Sequence, residues 1–572
     1  MTLLANNRRV LAARFPEVLA ALAAVSPGAA PAPEPIAPNL IAEVAGSRRL
    51  FLVLAGLPSA RDTTRILAVV PRESILWFVE PRPALLRAQL ASVDFGRVLS
   101  DSRVFLATGA PGSAELLRLN REFAWVDSAR ALFTSAAVAA QAAQWHPLLV
   151  ATLTRIQQRW QQVYTDIKLS PTRFENTCAN LSSFLSQPTV QTLAGAFRGT
   201  PLILVAAGPS LDDALPFLAE ARRHALVVTG NTSFRALAAR GVAPHLTVSV
   251  DPYATTQLGY AGQDLAATHL VAPVFAYPEV IRSFAGRMFG LAEQSPLLER
   301  FRPTQSAASP ALMGEGTVSA TILNLAAHLG CSPIIFVGQD FAIADDGRTH
   351  AVDTFYTDLK CNQHDNEAVH TLAGTTRPAV KVPGRHLWYL RIIEGLIDRH
   401  PEIQFINTSH RGAVIAGAQF ATYDAVAQLL AAMPARDLQS ELFCRHAGAP
   451  RNAPEAFQAA LTETQTVAQE ALRLSLTAAL AGELATTDPT PTSRQRFSDA
   501  GTRFEEWRSQ HSSDHALLFD GCTKREIFDS EKRRLLLAAN DPTRPIREAT
   551  EVAWAFAEGT AFLHRHLSAA GA

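Results

Sequence analysis

Apolar runs four to eight residues long, separated by amphipathic stretches, recur in two blocks of this chain. In the first block, RLFLVLAG, ILWFVEP and VFLATG predict three strands with helices between them. The second block opens on TPLILVAAGPSLDDALPFLAEARR. Here Leu202 to Val205 reads as a buried strand, Ala206 to Pro209 as a tight turn, and Ser210 onward as an amphipathic helix. Ala225 to Thr229 is the next strand, Gly230 to Ser233 a polar turn, and Phe234 to Arg240 a helix. His245 to Val250 is a third strand ending on Asp251, and PIIFVGQDFA is a further one.

The remaining pattern is helical. Val10, Leu11, Phe15, Val18, Leu19 and Leu22 fall at helical spacing, and the proline-dense run from Pro27 to Pro38 then interrupts the pattern, which predicts one helix tethered by an extended linker. Ala131 to Thr154 lacks charge but carries Gln141, Gln144, His146 and Pro147, so it reads as a pair of buried helices rather than a membrane span. AFQAALTETQTVAQEALRLSLTAALAGEL is one long helix candidate and Pro545 to His566 another, with the DPTPTS run between them. The expected architecture is α/β. A Rossmann-like central domain (194–424) is preceded by a helix and linker (1–45), a degenerate Rossmann-like N-terminal domain (46–130) and a helical connector (131–193), and is followed by a helical C-terminal domain (425–572).

Charge and cysteine usage narrow the function. With 52 Lys and Arg against 52 Asp and Glu, the chain has no net field to gather nucleic acid, and no nucleic-acid partner or membrane insertion is expected. The five cysteines are far apart and form no metal-ligand spacing, which suits unpaired thiols in a reducing compartment. The N-terminus shows no secretory pattern, so a cytoplasmic location is expected. Homo-oligomerisation is left open.

The candidate chemistry sits at predicted strand ends. Gly208 and Pro209 make a turn that lets backbone approach an anion, and Ser210 can cap the helix behind it. Asn231 and Asp251 end the neighbouring strands, the edge at which open α/β sheets bind ligands. A second helix start carries Gly314, Gly316, Thr317 and Ser319, and the strand after it ends on Gln339 and Asp340 before a loop with Asp345, Asp346, His350 and Tyr356. Two such helix starts can share a phosphate. In the first domain Glu80 stands where an acidic residue would meet a ribose, but the loop GLPSA has a single glycine and a proline, so no nucleotide is expected there.

In order, VAAGPSLDDAL, VTGNTSFRAL, GVAPHLTVSVDP, GEGTVSATILNLAAHLGCSPIIFVGQDFA, GRTHA and INTSHRGAVIAGA resemble the central domain of the motility-associated factor (Maf) glycosyltransferases, itself similar to archaeal 6-hydroxymethylpterin diphosphokinases. FLVLAG, FVEPRP and LSDSRVFLATG are similar to the Maf amino-terminal domain. The resemblance implies transfer of a nonulosonic acid, such as pseudaminic or legionaminic acid, from CMP to Ser or Thr of flagellin or another protein acceptor, with no cofactor required. It places Gly208 and Ser210 at the nucleotide phosphate, Asn231 at the nucleotide or sugar, and Gly316, Thr317 and Ser319 at the cytidine end. His350 is the expected base, with Asp340 and Tyr356 beside it and His364 and His410 as alternatives. The alternative is an ATP-dependent pterin diphosphokinase, in which Asp251, Asp340, Asp345 and Asp346 would hold magnesium. A non-catalytic scaffold with a nucleotide-binding fold is the third reading.

Overall fold

The computed structural model describes residues 3–26, 50–70, 74–80, 82–108, 128–133, 167–291, 298, 301, 312–314, 316–356, 369–449, 454–511, 530 and 543–570. These divide into two compact units.

The first unit comprises 1–168, 474–504 and 524–557. Its sheet is parallel, in the order β3-β2-β1-β4, with β1 Leu50–Ala55, β2 Ile75–Glu80, β3 Val104–Thr108 and β4 Ser128–Phe133. Every residue of β2 is buried, as expected of a strand covered on both faces. β4 corrects the expectation of helix from Ala131: residues 131–133 extend a strand alongside Val53 to Ala55. The rest of that apolar stretch lies outside the described residues. Among the described residues no helix is long and apolar enough to cross a membrane.

The N-terminal helix is also two helices, Ala5–Arg14 and Pro16–Ala23. Pro16 cannot continue the first but suits the first turn of the second. Instead of hanging on a tether, they bury Val10, Leu11, Phe15, Val18 and Leu22 in the core of this unit. Asn7 fastens them: its amide donates to the carbonyls of Leu90 (2.8 Å) and Val93 (2.7 Å) and accepts from the Phe95 N–H at 2.8 Å. Glu80 is buried at the end of β2 and takes the Arg82 N–H (3.1 Å) and Nε (2.7 Å), so its carboxylate is already paired where a ribose would need it.

The second unit comprises 169–473, 505–523 and 558–572. Its eight-stranded sheet runs β14-β13-β10-β5-β6-β7-β8-β9. The strands are β5 Leu202–Val205, β6 Leu226–Gly230, β7 Leu246–Val248, β8 His269–Ala272, β9 Met288–Gly290, β10 Ile334–Val337, β13 Phe405–Asn407 and β14 Gln419–Phe420. All of its pairings are parallel. A separate hairpin, β11 Val369–Leu372 with β12 Val380–Pro383, feeds directly into the helix Gly384–Arg399. Strand order reverses between β5 and β10, the switch point at which such sheets form a crevice.

The helix over 167–185 carries two asparagines one turn apart that hold the loops after β7 and β8. Asn176 donates to Pro252 O (2.9 Å) and Phe275 O (3.1 Å), and Asn180 to Val274 O and Ala276 O, both at 2.8 Å. These forks satisfy buried loop carbonyls that the sheet cannot reach. In the C-terminal region Pro454–Thr487 is one helix as expected, and Pro491–Gln510 and Arg544–Ala570 follow. Thr490 Oγ1 caps the second, accepting the Ser493 N–H at 3.2 Å. The region is not one body: 474–504 and 524–557 group with the first unit. There Ala478, Ala479, Phe504, Ala553 and Phe556 share a small core.

Candidate functional site

At the switch point the helix start at Ser210 is already occupied. Asp340 accepts the Ser210 N–H at 2.8 Å and the Ser210 hydroxyl at 2.5 Å, while Gly208 N–H donates to Gly338 O at 2.8 Å. A Cβ on Gly208 would stand 2.3 Å from Asp340 Oδ2 and 2.5 Å from Gly338 O. The close approach that requires this glycine is therefore to the protein itself, not to a ligand phosphate. Ser210 sits at the N-cap but its hydroxyl makes no cap bond, being spent on Asp340. Gly208 and Ser210, expected at the nucleotide phosphate together with Pro209, here meet the carboxyl of Asp340.

The lock has further members. Tyr423 OH donates to Ser210 O (3.0 Å), the Arg411 N–H to Ser210 Oγ (3.3 Å), and the Ser409 hydroxyl accepts the Gln339 N–H (2.8 Å). Phe341 follows with φ of 56°, a backbone conformation that a bulky side chain adopts only where its surroundings impose it. Asp340 is 2% exposed. Burial pushes its carboxyl above the usual range, opposed by the Ser210 bonds and by His410 and Arg411. The carboxyl of Asp340 thus holds the turn at Ser210. His410 and Arg411 belong to the same cluster, at 3.3 and 2.6 Å from Asp213 Oδ2.

The next strand end is built differently. The helix after β6 starts at Asn231 itself (Asn231–Ala238), so the expected polar turn is helical, with Gly230 at the N-cap. A Cβ on Gly230 would meet Val318 Cγ1 at 3.2 Å, which brings this helix start against that of Val318–Leu329. Asn231 is 4% and Ser319 8% exposed, and both side chains sit close to this junction. The first N–H groups of each helix lack intrahelical partners. The pair of helix starts that meet is thus at Asn231 and Val318. Gly314 and Gly316 shape the turn before the second: Gly314 N–H donates to Thr321 Oγ1 at 2.9 Å, and Gly316, at φ of 78°, lies under the Trp388 ring. Thr317 occupies the N-cap without a side-chain cap bond.

His350 comes to this edge through its loop, tied down where Ala351 N–H donates to Ala207 O (2.8 Å). Arg348 bridges to Asp212 at 3.1 Å and Arg240 to Asp353 at 2.7 Å, strapping the loop to the start of the helix Leu211–Ala221 and to the end of Asn231–Ala238. The His350 ring packs against Tyr356 with centroids 4.6 Å apart and the planes tilted by 31°, and takes a Thr349 hydroxyl contact at 3.0 Å. His386, at 6.5 Å, completes the cluster. The alternative base His364 lies outside the described residues, and His410 is in the Ser210 cluster.

Asp251 ends β7 as expected, and burial raises its carboxyl while Arg173 opposes the rise. It is not joined by the other carboxylates a magnesium site would need. Asp340 is spent on Ser210, Asp345 pairs with Arg377 at 2.6 Å, and Asp346 with Arg348 at 2.7 Å. Among the described residues no three His, Cys, Asp or Glu side chains gather around one point. Of the four carboxylates named for the diphosphokinase reading, Asp340, Asp345 and Asp346 are thus engaged within the chain.

Sequence reasoning missed His386, Trp388 and Tyr389, and it missed the bonding of Ser210 to Asp340. GRHLWYL, with three ring side chains opening a helix, was the available signal for the first group. The second joins residues 130 positions apart and has no local signal.

Residues 175–346 match the family model described as 6-hydroxymethylpterin diphosphokinase MptE-like. No curated protein matches the chain. In structure it is similar to the Maf glycosyltransferase from Magnetospirillum magneticum AMB-1, with a TM-score of 0.51 and 14% identity, covering 97% of this chain and 89% of that one. The resemblance carried by the motifs is thereby supported at both levels: the central segment matches the MptE-like family, and the chain has the fold of a Maf glycosyltransferase.

Proposed function

We propose that this chain is a glycosyltransferase that takes a CMP-activated nonulosonic acid as donor and a Ser or Thr hydroxyl of flagellin or another protein as acceptor. The observation that carries the reading is the meeting of two helix starts at Asn231 and Val318, with the side chains of Asn231 and Ser319 beside them. Helix N-termini favour an anion, and an amide and a hydroxyl beside them can donate to it. The Maf-like fold and the carboxyl-edge position agree with it.

In the reaction the acceptor oxygen forms a bond to the anomeric carbon as the bond to the CMP phosphate breaks. The bonding pair leaves with the phosphate, and the acceptor proton passes to His350. The helix starts at Asn231 and Val318 stabilise the departing charge, and Tyr356 orients the His350 ring by packing against it.

Calorimetry tests the donor site. The full chain should bind CMP, and Asn231→Leu should weaken binding about tenfold or more at unchanged melting temperature, the loss expected when a ligand hydrogen bond goes and its partner stays unpaired. Wild-type CMP binding that Asn231→Leu leaves intact overturns the site; absence of CMP binding by the wild type overturns the donor class.

A further inference from the structure

The function above leaves the start of the helix Gly384–Arg399 unused. Its first six residues bring three ring side chains to the ligand edge, His386, Trp388 and Tyr389. Trp388 faces the glycine turn: a Cβ on Gly316 would fall 2.6 Å from Trp388 Cη2. His386 faces the base: its ring centroid is 6.5 Å from that of His350, with the planes at 75°, and Tyr389 lies 6.2 Å from His386 on the other side. The helix is rigidly seated, since Leu390, Ile393, Leu396 and Ile397 are buried in the central core. It also follows β12 without an intervening loop. One helix start therefore touches both the turn that precedes Val318 and the ring pair of His350 and Tyr356.

We propose that His386 is a positioning residue for His350: with Trp388 seated on Gly316, it sets the distance between the base and the donor-binding turn. This inference rests on the glycosyltransferase reading. The physical reason is spacing. His350 sits on a loop held by ion pairs of part-exposed side chains, which are weak restraints, and by the Ala351 N–H bond to Ala207 O, which fixes the backbone but not the ring. A ring packed edge-on against it from a core helix limits its swing, and a base displaced by about 1 Å costs on the order of a hundredfold in rate.

The experiment uses the full chain and a CMP-sugar donor. His386→Ala should lower kcat about tenfold to a hundredfold while the donor KM stays within about twofold. His386→Phe keeps the ring contact and carries no proton, so it should restore kcat to within about threefold of wild type. Loss in the phenylalanine variant equal to that in the alanine variant overturns positioning in favour of proton transfer. An unchanged kcat in His386→Ala overturns the role altogether. Failure of the underlying reading shows separately, as a wild type that transfers no sugar. In that case NMR of the His350 ring decides: its resonances should move or broaden in His386→Ala and not in His386→Phe, and resonances unchanged in both overturn the contact.

Discussion

Replacing His350 with alanine should lower the turnover of sugar transfer about a hundredfold or more, the usual loss for a general base, with CMP affinity nearly unchanged. The separation of the two effects follows from the layout. His350 reaches the edge through its tie to Ala207 and packs on Tyr356 and toward His386, whereas the helix starts at Asn231 and Val318 meet each other through Gly230. Steady-state kinetics with calorimetry on the same protein checks it. Turnover within threefold of wild type would make His350 a packing residue. A parallel loss of CMP affinity would place it in the donor site instead.

The second large effect is on stability. Asp340→Ala should destabilise the central unit by about 3 kcal/mol, because it strips the partner from a buried N–H and a buried hydroxyl at once. Gly208→Val should be as severe, since its Cβ alone would overlap Asp340 Oδ2 and Gly338 O. Asp340→Asn should be milder: its amide can accept the Ser210 N–H with one end and donate to the Ser210 hydroxyl with the other. The sign of the pH dependence follows from the raised carboxyl of Asp340. A carboxyl whose pKa is raised on folding contributes most below its unfolded pKa of about 3.9 and loses that contribution as pH rises through the folded value. Asn has no proton to lose, so the stability gap between Asp340→Asn and wild type should narrow as pH rises across that window. Urea unfolding of both proteins at several pH values measures it, and a gap that widens would contradict the burial of Asp340.

The same lock shows why the glycine at 208 misleads when read locally. Strand, glycine turn and helix start are the outward signs of an anion site, and VAAGPSLDDAL has all of them. The group bound there is a carboxyl that the chain itself supplies from the loop after β10. By contrast Asn231, read as part of a turn, proves to open a helix whose start meets another.

What the sequence determined by itself is the part written in local periodicity. The apolar runs gave β5, β6 and β7 within about two residues and the start of β10, which ends at Val337 rather than running on to Asp340, and with them the parallel sheet and the edge to which Gly230, Asp251 and Gln339 belong. The ordered motifs carried the family resemblance. Tertiary structure alone decided which of the helix starts is open to a ligand and which is closed, because the answer turns on Asp340 meeting Ser210 across the switch point. It alone also brought His386 to His350 and Trp388 to Gly316. Such pairings follow from strand order and crossover, and a strand's own residues say which face it buries but not which neighbour it takes.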